Sequence, residues 1–342
     1  MKRYLFGFVT MLAVVFGLAF VFADANAATV VIGHTHLAPL PVAMPMIGGM
    51  IINQANLTDL FKAYNAAFDQ GFGMAKPQWQ TVATEVPSGT SENHYAWLGQ
   101  FPKMREWLGD RIVKSMSAYD YVLKNKKFES TVGVPRDNID DDTYGVFSPL
   151  MKEMGFAAAM HPDEMLWPAV AAGISTLCYD GQYFFDTDHP VNGALVANVD
   201  SGGAGNYWYL LDLSRPLRPF IVQKRRDYAF RAINNLNDDS VFMTDQYKYG
   251  VDARLNVGYG LWQQAYASNQ TLNAANFDAA YQAMMAVQSD EGRPLGIRPT
   301  HLVVGSSNRS NALNTIEVDR LASGASNANY KTVDVVLTPY LP

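Results

Sequence analysis

Residues 118–134 read AYDYVLKNKKFESTVGV, and their alternation sets the fold class. Tyr119, Tyr121 and Leu123 fall on one face of an extended segment; after Asn125, the residues Phe128, Ser130, Val132 and Val134 alternate on the return. A period of two marks half-buried strands, so the pattern predicts a long hairpin whose basic tip is Lys124, Lys126 and Lys127. A lone hairpin buries too little apolar surface to be stable in water. It must lie on its own domain or on a neighbouring subunit, and the pattern alone leaves both open.

Downstream, Asp140, Asp141 and Asp142 open a helical stretch to Met160, because negative charge complements the N-terminal end of a helix dipole. A calcium site built from these aspartates lacks the spaced ligands and closing glutamate of a calcium hand. His161 and Pro162 then interrupt, with Pro162 in the first turn of a second helix through Leu177. The result is a helical spine over 141–177.

Upstream, Leu57, Leu60, Phe61, Tyr64, Ala67, Phe68 and Phe72 recur at three- and four-residue steps. That spacing predicts an amphipathic helix, with Asn56 as N-cap and Gly71 near its end. Residues 78–86 alternate weakly and run into a polar turn at Pro87, Ser88 and Gly89, which reads as an extended arm. Past the spine, 182–186, 207–213, 220–223, 301–305 and 333–337 read as strands, and 277–287 and 308–323 as helices. This is a mixed α+β chain without an internal repeat.

With 342 residues, 49% hydrophobic and 17% charged, the chain is long enough for one large or two modest cores. A net charge of -6 argues against a surface built to grip a phosphate backbone. The aromatic share of 12% suits broad contact surfaces as well as cores. Cys178 is the single cysteine, so no disulfide can form within one chain, and its apolar surroundings favour packing over redox chemistry.

The first forty-nine residues differ from the rest. Lys2 and Arg3 precede an apolar run over 4–22, and Ala25-Asn26-Ala27 supplies a cleavage-site pattern, so the segment resembles a secretory signal. The competing reading starts the protein at Met50, with 1–49 a mis-started leader. Within that leader, Val30-Val31-Ile32-Gly33-His34-Thr35-His36 is the sharpest enzyme-like string, since a strand ending in His-x-His can present two imidazoles to a metal. His94, His161, His189 and His301 carry no matching spacing, which leaves such a site short of ligands. Asp186-Thr187-Asp188-His189 could aim two ligands at one metal but offers no third. Residues 199–205 are rich in glycine yet lack the Lys-Ser/Thr ending of a phosphate loop. Gly-x-Ser-x-Gly and His-Glu-x-x-His are absent, so nucleophilic and zinc-protease chemistry have no motif to stand on. No catalytic residue, metal or cofactor is expected. These features leave open an exported metal-dependent hydrolase using His34 and His36, or a secreted self-assembling surface protein.

From Met50 to Pro342 the chain resembles the major head subunit (gpT) family of Mu-like phages and prophages. The resemblance rests on Trp97-Leu98-Gly99, Arg105-Glu106-Trp107, Gly109-Asp110-Arg111, Phe184-Phe185 with His189-Pro190, Trp208-Tyr209-Leu210-Leu211, Gln223-Lys224-Arg225, Gly258-Tyr259-Gly260-Leu261-Trp262-Gln263 and Pro299-Thr300-His301-Leu302-Val303-Val304. It implies the Hong Kong 97-type coat fold, with an N-terminal arm at 50–117, an extended loop at 118–139, a peripheral domain with its spine helix at 140–265 and an axial domain at 266–342. It also implies hexamers and pentamers of one subunit that close around double-stranded DNA without sequence-specific binding. Scaffold, maturation protease and portal proteins are the implied partners, the bacterial cytoplasm the site of assembly and the virion the destination. The signal-like leader conflicts with that location and is expected not to act as an export signal. Lys124, Lys126 and Lys127 are the expected intersubunit contacts.

Overall fold

The computed structural model describes residues 52–96, 98, 121–141, 145–289, 292–321 and 323–342. The first helix, α1 (Gln54–Met74), starts where the Asn53 side chain accepts the Asn56 backbone N–H at 2.8 Å, so Asn53 is the cap and Asn56 the third residue of the helix. Leu57, Tyr64, Phe68 and Gly71 form its buried stripe. One helical turn, α2 (Trp79–Val82), leads into β1 (Ala83–Pro87), where an arm was expected.

The predicted hairpin is paired differently. Strand β3 (Val122–Lys124) pairs antiparallel with β2 (Glu92–His94), and β4 (Lys126–Pro135) pairs with β10 (Gln246–Tyr259), not with β3. Alternation established that both segments are extended, but it carries no information about which strand lies opposite. The basic residues therefore sit where the chain steps from one sheet to another, and the segment joining β2 to β3 lies mostly outside the described residues.

After the short α3 (Arg136–Asp140), the spine α4 (Phe147–Ala172) runs unbroken for 26 residues, about 39 Å at 1.5 Å per residue. Two expectations fail here. Asp140 closes α3 instead of opening the spine, and Gly145 at φ 64 turns the chain between the two helices. Pro162 lies inside the helix instead of interrupting it. A proline removes one ladder hydrogen bond, but the next residue is anchored by tertiary contacts: the Asp163 carboxylate accepts the N–H groups of Gln78 at 2.7 Å and Trp79 at 2.6 Å.

Four strands in the order β1, β9 (Phe220–Ile233), β10 and β4 make the sheet against which α1 and α4 pack. Strand β10 alternates along its length, burying Tyr247, Tyr249, Val251, Ala253 and Leu255. A second sheet has the order β13 (Asp334–Leu337), β12 (His301–Val304), β8 (Trp208–Leu211), β11 (Ala265–Ser268) and β7 (Val199–Asp200). All four β8 residues are buried, as a central strand covered on both faces requires. The chain enters this sheet, leaves for β9 and β10, and returns at β11, so β8 lies on the opposite side of residue 265 from its sheet neighbours.

The small hairpin β5 (His189–Val191) and β6 (Ala194–Val196) turns on Asn192 and Gly193, both at positive φ. Helix α5 (Asp239–Thr244) joins β9 to β10, and α6 (Ala274–Met285) buries Phe277, Ala280 and Met284. Residues 182–186 form a turn, not a strand: Phe184 and Phe185 are both buried, which alternation does not allow in a half-buried strand. Between 308 and 323 the helix is limited to α7 (Arg309–Ala312) and a π-helical turn, Leu313–Glu317.

Candidate functional site

The outward face of the four-stranded sheet carries charge in rows set by strand register. Lys127, Arg254 and Arg226 stand opposite one another across β4, β10 and β9, and Glu129 faces Asp252 in the next row. Two guanidinium groups compensate Asp252, that of Arg226 and that of Arg231, the latter at 3.2 Å. Lys124 stands 3.8 Å from Glu92 across the β2–β3 pair. Lys126 and Lys127 form no ion pair among the described residues, and the Arg254 Nε has no hydrogen-bond partner there.

On the other face of the sheet, which α4 covers, an apolar groove is lined by Phe128, Met154, Ala157, Ala158, His161 and Tyr228, and of the cations Lys126, Lys127 and Arg254 only Lys126 shares that face. His161 accepts or donates a 2.7 Å hydrogen bond with the Tyr228 hydroxyl and meets the Phe128 ring edge-on at 4.4 Å. Burial pulls the His161 imidazole below its ordinary pKa, outweighing the nearby Glu164. The same cause lowers His301. A histidine pKa that is lower folded than unfolded contributes stability that is full above about pH 6.5 and is lost as pH falls toward the folded value. Melting temperature should therefore fall between pH 7.5 and 5.5, and His161→Gln should flatten part of that fall. An unchanged slope in the variant would contradict the assignment.

The opposite end of the sheet was not anticipated. Helices α3 and α5 flank it, tied by the Arg136 N–H to the Asp245 carbonyl at 3.0 Å. Asp137, Asp141, Asp239 and Asp245 are exposed there, and Asp140 and Asp238 half-exposed. On α5 only Val241 turns inward; Phe242 and Met243 stand 83% and 78% exposed, far beyond what a packed helix leaves open. The sequence held a signal for this: six residues make under two turns and cannot bury three consecutive apolar side chains on one face.

The expected chemistry is relocated. His34 and His36 lie outside the described residues. Asp186 spends its carboxylate on the N–H groups of Tyr183 and Thr187 and does not reach His189. His189 is wholly buried: Nδ1 lies 2.7 Å from Asp180 Oδ2, Nε2 lies 3.2 Å from Asn198 Oδ1, and its ring stacks on Trp262 at 3.9 Å. Asn198 is oriented by its amide nitrogen, which donates to Phe184 and Ala265 carbonyls, so its oxygen faces the ring. Both ring nitrogens thus face oxygen atoms, and Nδ1 donates to the Asp180 carboxylate.

Burial raises the Asp180 pKa, but hydrogen bonds from His189 and Cys178 outweigh it and hold the group below the ordinary range. Cys178, Asp180 and His189 place their donor atoms within 4.8 Å of one another. The 2.7 Å contact is nevertheless a hydrogen bond, because two ligands on one zinc ion would stand about 3.3 Å apart. Burial, then the neighbouring Asp180, push the Cys178 thiol up, so it packs and donates to Asp180 at 3.0 Å instead of ionising. This cluster is a structural clasp.

A sheet platform under a long spine helix, with charged and apolar surface left uncommitted, is the build of a subunit that contacts other proteins. The chain belongs to the Mu-like prophage major head subunit gpT family, whose model matches residues 57–341. It is 46% identical over 269 residues to the "Mu-like prophage FluMu major head subunit" of Haemophilus influenzae, covering 74% of this chain and 87% of the relative. It is 38% identical over 269 residues to the "Major capsid protein" of Escherichia phage Mu, covering 75% of this chain and 87% of that one. Among solved structures, a subunit of the procapsid of bacteriophage JBD30 superimposes with a TM-score of 0.76 at 46% identity, covering 85% of this chain and 100% of that one. The expected coat fold therefore holds, and the protein is a structural capsid subunit of the virion that assembles in many copies, not an enzyme. No described helix is long and apolar enough to cross a membrane.

Proposed function

We infer that copies of this chain form hexamers and pentamers that close into an icosahedral shell around double-stranded DNA. Lys124, Lys126 and Lys127 lie on an acidic surface of the adjacent subunit. The carrying observation is the uncommitted charge on the four-stranded sheet, where Lys126 and Lys127 are exposed without an ion pair among the described residues. Its excess of acid, a net charge of -6, repels phosphate at long range, which suits a container that holds DNA and releases it.

Domain roles follow the sheets. The peripheral domain is the four-stranded sheet with α1 and α4, and the axial domain is the five-stranded sheet with α6. Assembly takes place in the bacterial cytoplasm with scaffold, maturation protease and portal proteins, and the signal-like leader takes no part in export.

Replacing Lys124, Lys126 and Lys127 together by glutamate should reduce shell yield and reverse its response to salt, since like charges across an interface repel. Sedimentation at two salt concentrations reads both effects. Unchanged yield and salt response would remove these lysines from the contact.

A further inference from the structure

The four-stranded sheet holds uncommitted charge of opposite sign at its two ends. Asp137, Asp140, Asp141, Asp238, Asp239 and Asp245 gather at the α3–α5 end, where Arg136 is the one cation on the two helices. Among the described residues none of these six carboxylates forms an ion pair. At the other end the cations flank the β4 edge, with Lys126 on the face of the apolar groove that Phe128 and Tyr228 border and Lys127 and Arg254 on the opposite face. Strand β4 separates the ends by ten residues, about 30 Å at 3.3 Å per residue. That is several Debye lengths at physiological salt, so the two ends of one copy do not neutralise each other.

We propose that the acidic end of one copy docks astride the β4 edge of the next, with aspartates against Lys126 on one face and Lys127 and Arg254 on the other, and with Phe242 and Met243 seated in the groove. This names the acidic surface left open in the shell reading, and it rests on that reading. Charge and polarity match together: each end pairs charge with an apolar feature, a protruding one at α5 and a recessed one beside β4. Glu129 and Glu164 on the groove rim repel the incoming aspartates and steer them toward the lysines. The contact is head-to-tail, the type that closes a ring when its rotation allows. It also covers β4, whose free edge is otherwise open to pairing.

Full-length chains carrying Lys126→Glu with Lys127→Glu, Asp137→Lys with Asp239→Lys, or all four changes test the pairing. All four residues are exposed, so the soluble subunits should melt as the parent does. Each two-residue variant should lose shell yield by about tenfold or more, and the four-residue variant should return to within about threefold of the parent. Phe242→Ser with Met243→Ser should also lose yield, and the charge exchange should not rescue it. The proposal is overturned if the four-residue variant stays as defective as its components while the parent forms shells. Normal assembly of the aspartate variant also overturns it and assigns that end to a different partner. A parent chain that forms no shells or capsomers, with or without the phage's own scaffold, removes the shell reading and this contact together.

Discussion

Gly155→Ala should cost the subunit about 2 kcal/mol net, although alanine is the better helix former. Alanine in a helix interior is favoured over glycine by about 1 kcal/mol. Against this, a Cβ on Gly155 would stand 2.0 Å from the Phe68 carbonyl oxygen and 2.9 Å from the Phe72 nitrogen, both backbone atoms of α1. Neither can rotate aside as a side-chain tip would. Gly71 makes the reciprocal approach, with its hypothetical Cβ 1.8 Å from the Lys152 carbonyl oxygen. The two helices must move apart, and overpacking of this kind costs about 3 kcal/mol at the upper end of its usual range. Strain wins over propensity. Gly73 is the control: it lies on α1, two residues past Gly71, with nothing within 4 Å of its Cβ position, so Gly73→Ala should be neutral or stabilising by up to about 1 kcal/mol. Denaturant unfolding of the soluble subunits separates the pair, and a Gly155→Ala variant as stable as Gly73→Ala would mean that the helices do not pack through these glycines.

His189→Ala should cost about 3–5 kcal/mol, because it strands the Asp180 carboxylate in a site from which water is excluded. Asp180 has a side-chain exposure of 5%, and the stack on Trp262 is lost with the ring. The double variant His189→Ala with Asp180→Ala should cost less than the sum of the two single variants, since either substitution alone already breaks their shared hydrogen bond. The sign with pH follows from the depressed Asp180 pKa: its contribution is full above about 3.9, the unfolded value, and is lost as pH falls through the lower folded one. Strict additivity of the two variants would contradict a paired clasp.

Much of the architecture was legible because helix stripes and strand alternation are local. Helix α1, the spine, strands β12 and β13 and helix α6 all announce themselves through apolar spacing. What failed was non-local. Residues 118–134 are extended as their period requires, yet β3 turns to β2 and β4 to β10, more than a hundred residues away in sequence. Pro162 stays in the spine because Asp163 is anchored by Gln78 and Trp79, contacts no window of sequence contains. The site was half visible. Lys126 and Lys127 could be named from the sequence, but the acidic end arises only when α3 and α5, about a hundred residues apart in sequence, meet at one sheet end. His189 stood out as chemistry beside Asp186 and Asp188, and its true partner Asp180 lies across a turn.

Sedimentation of the purified full-length chain, followed by negative-stain microscopy of the fastest fraction, bears most directly on the claim that this subunit builds a shell. Closed shells, or ring-shaped capsomers that close when the phage's own scaffold is supplied, are the expected result. A chain that remains monomeric at every concentration and salt, with and without that scaffold, would contradict it.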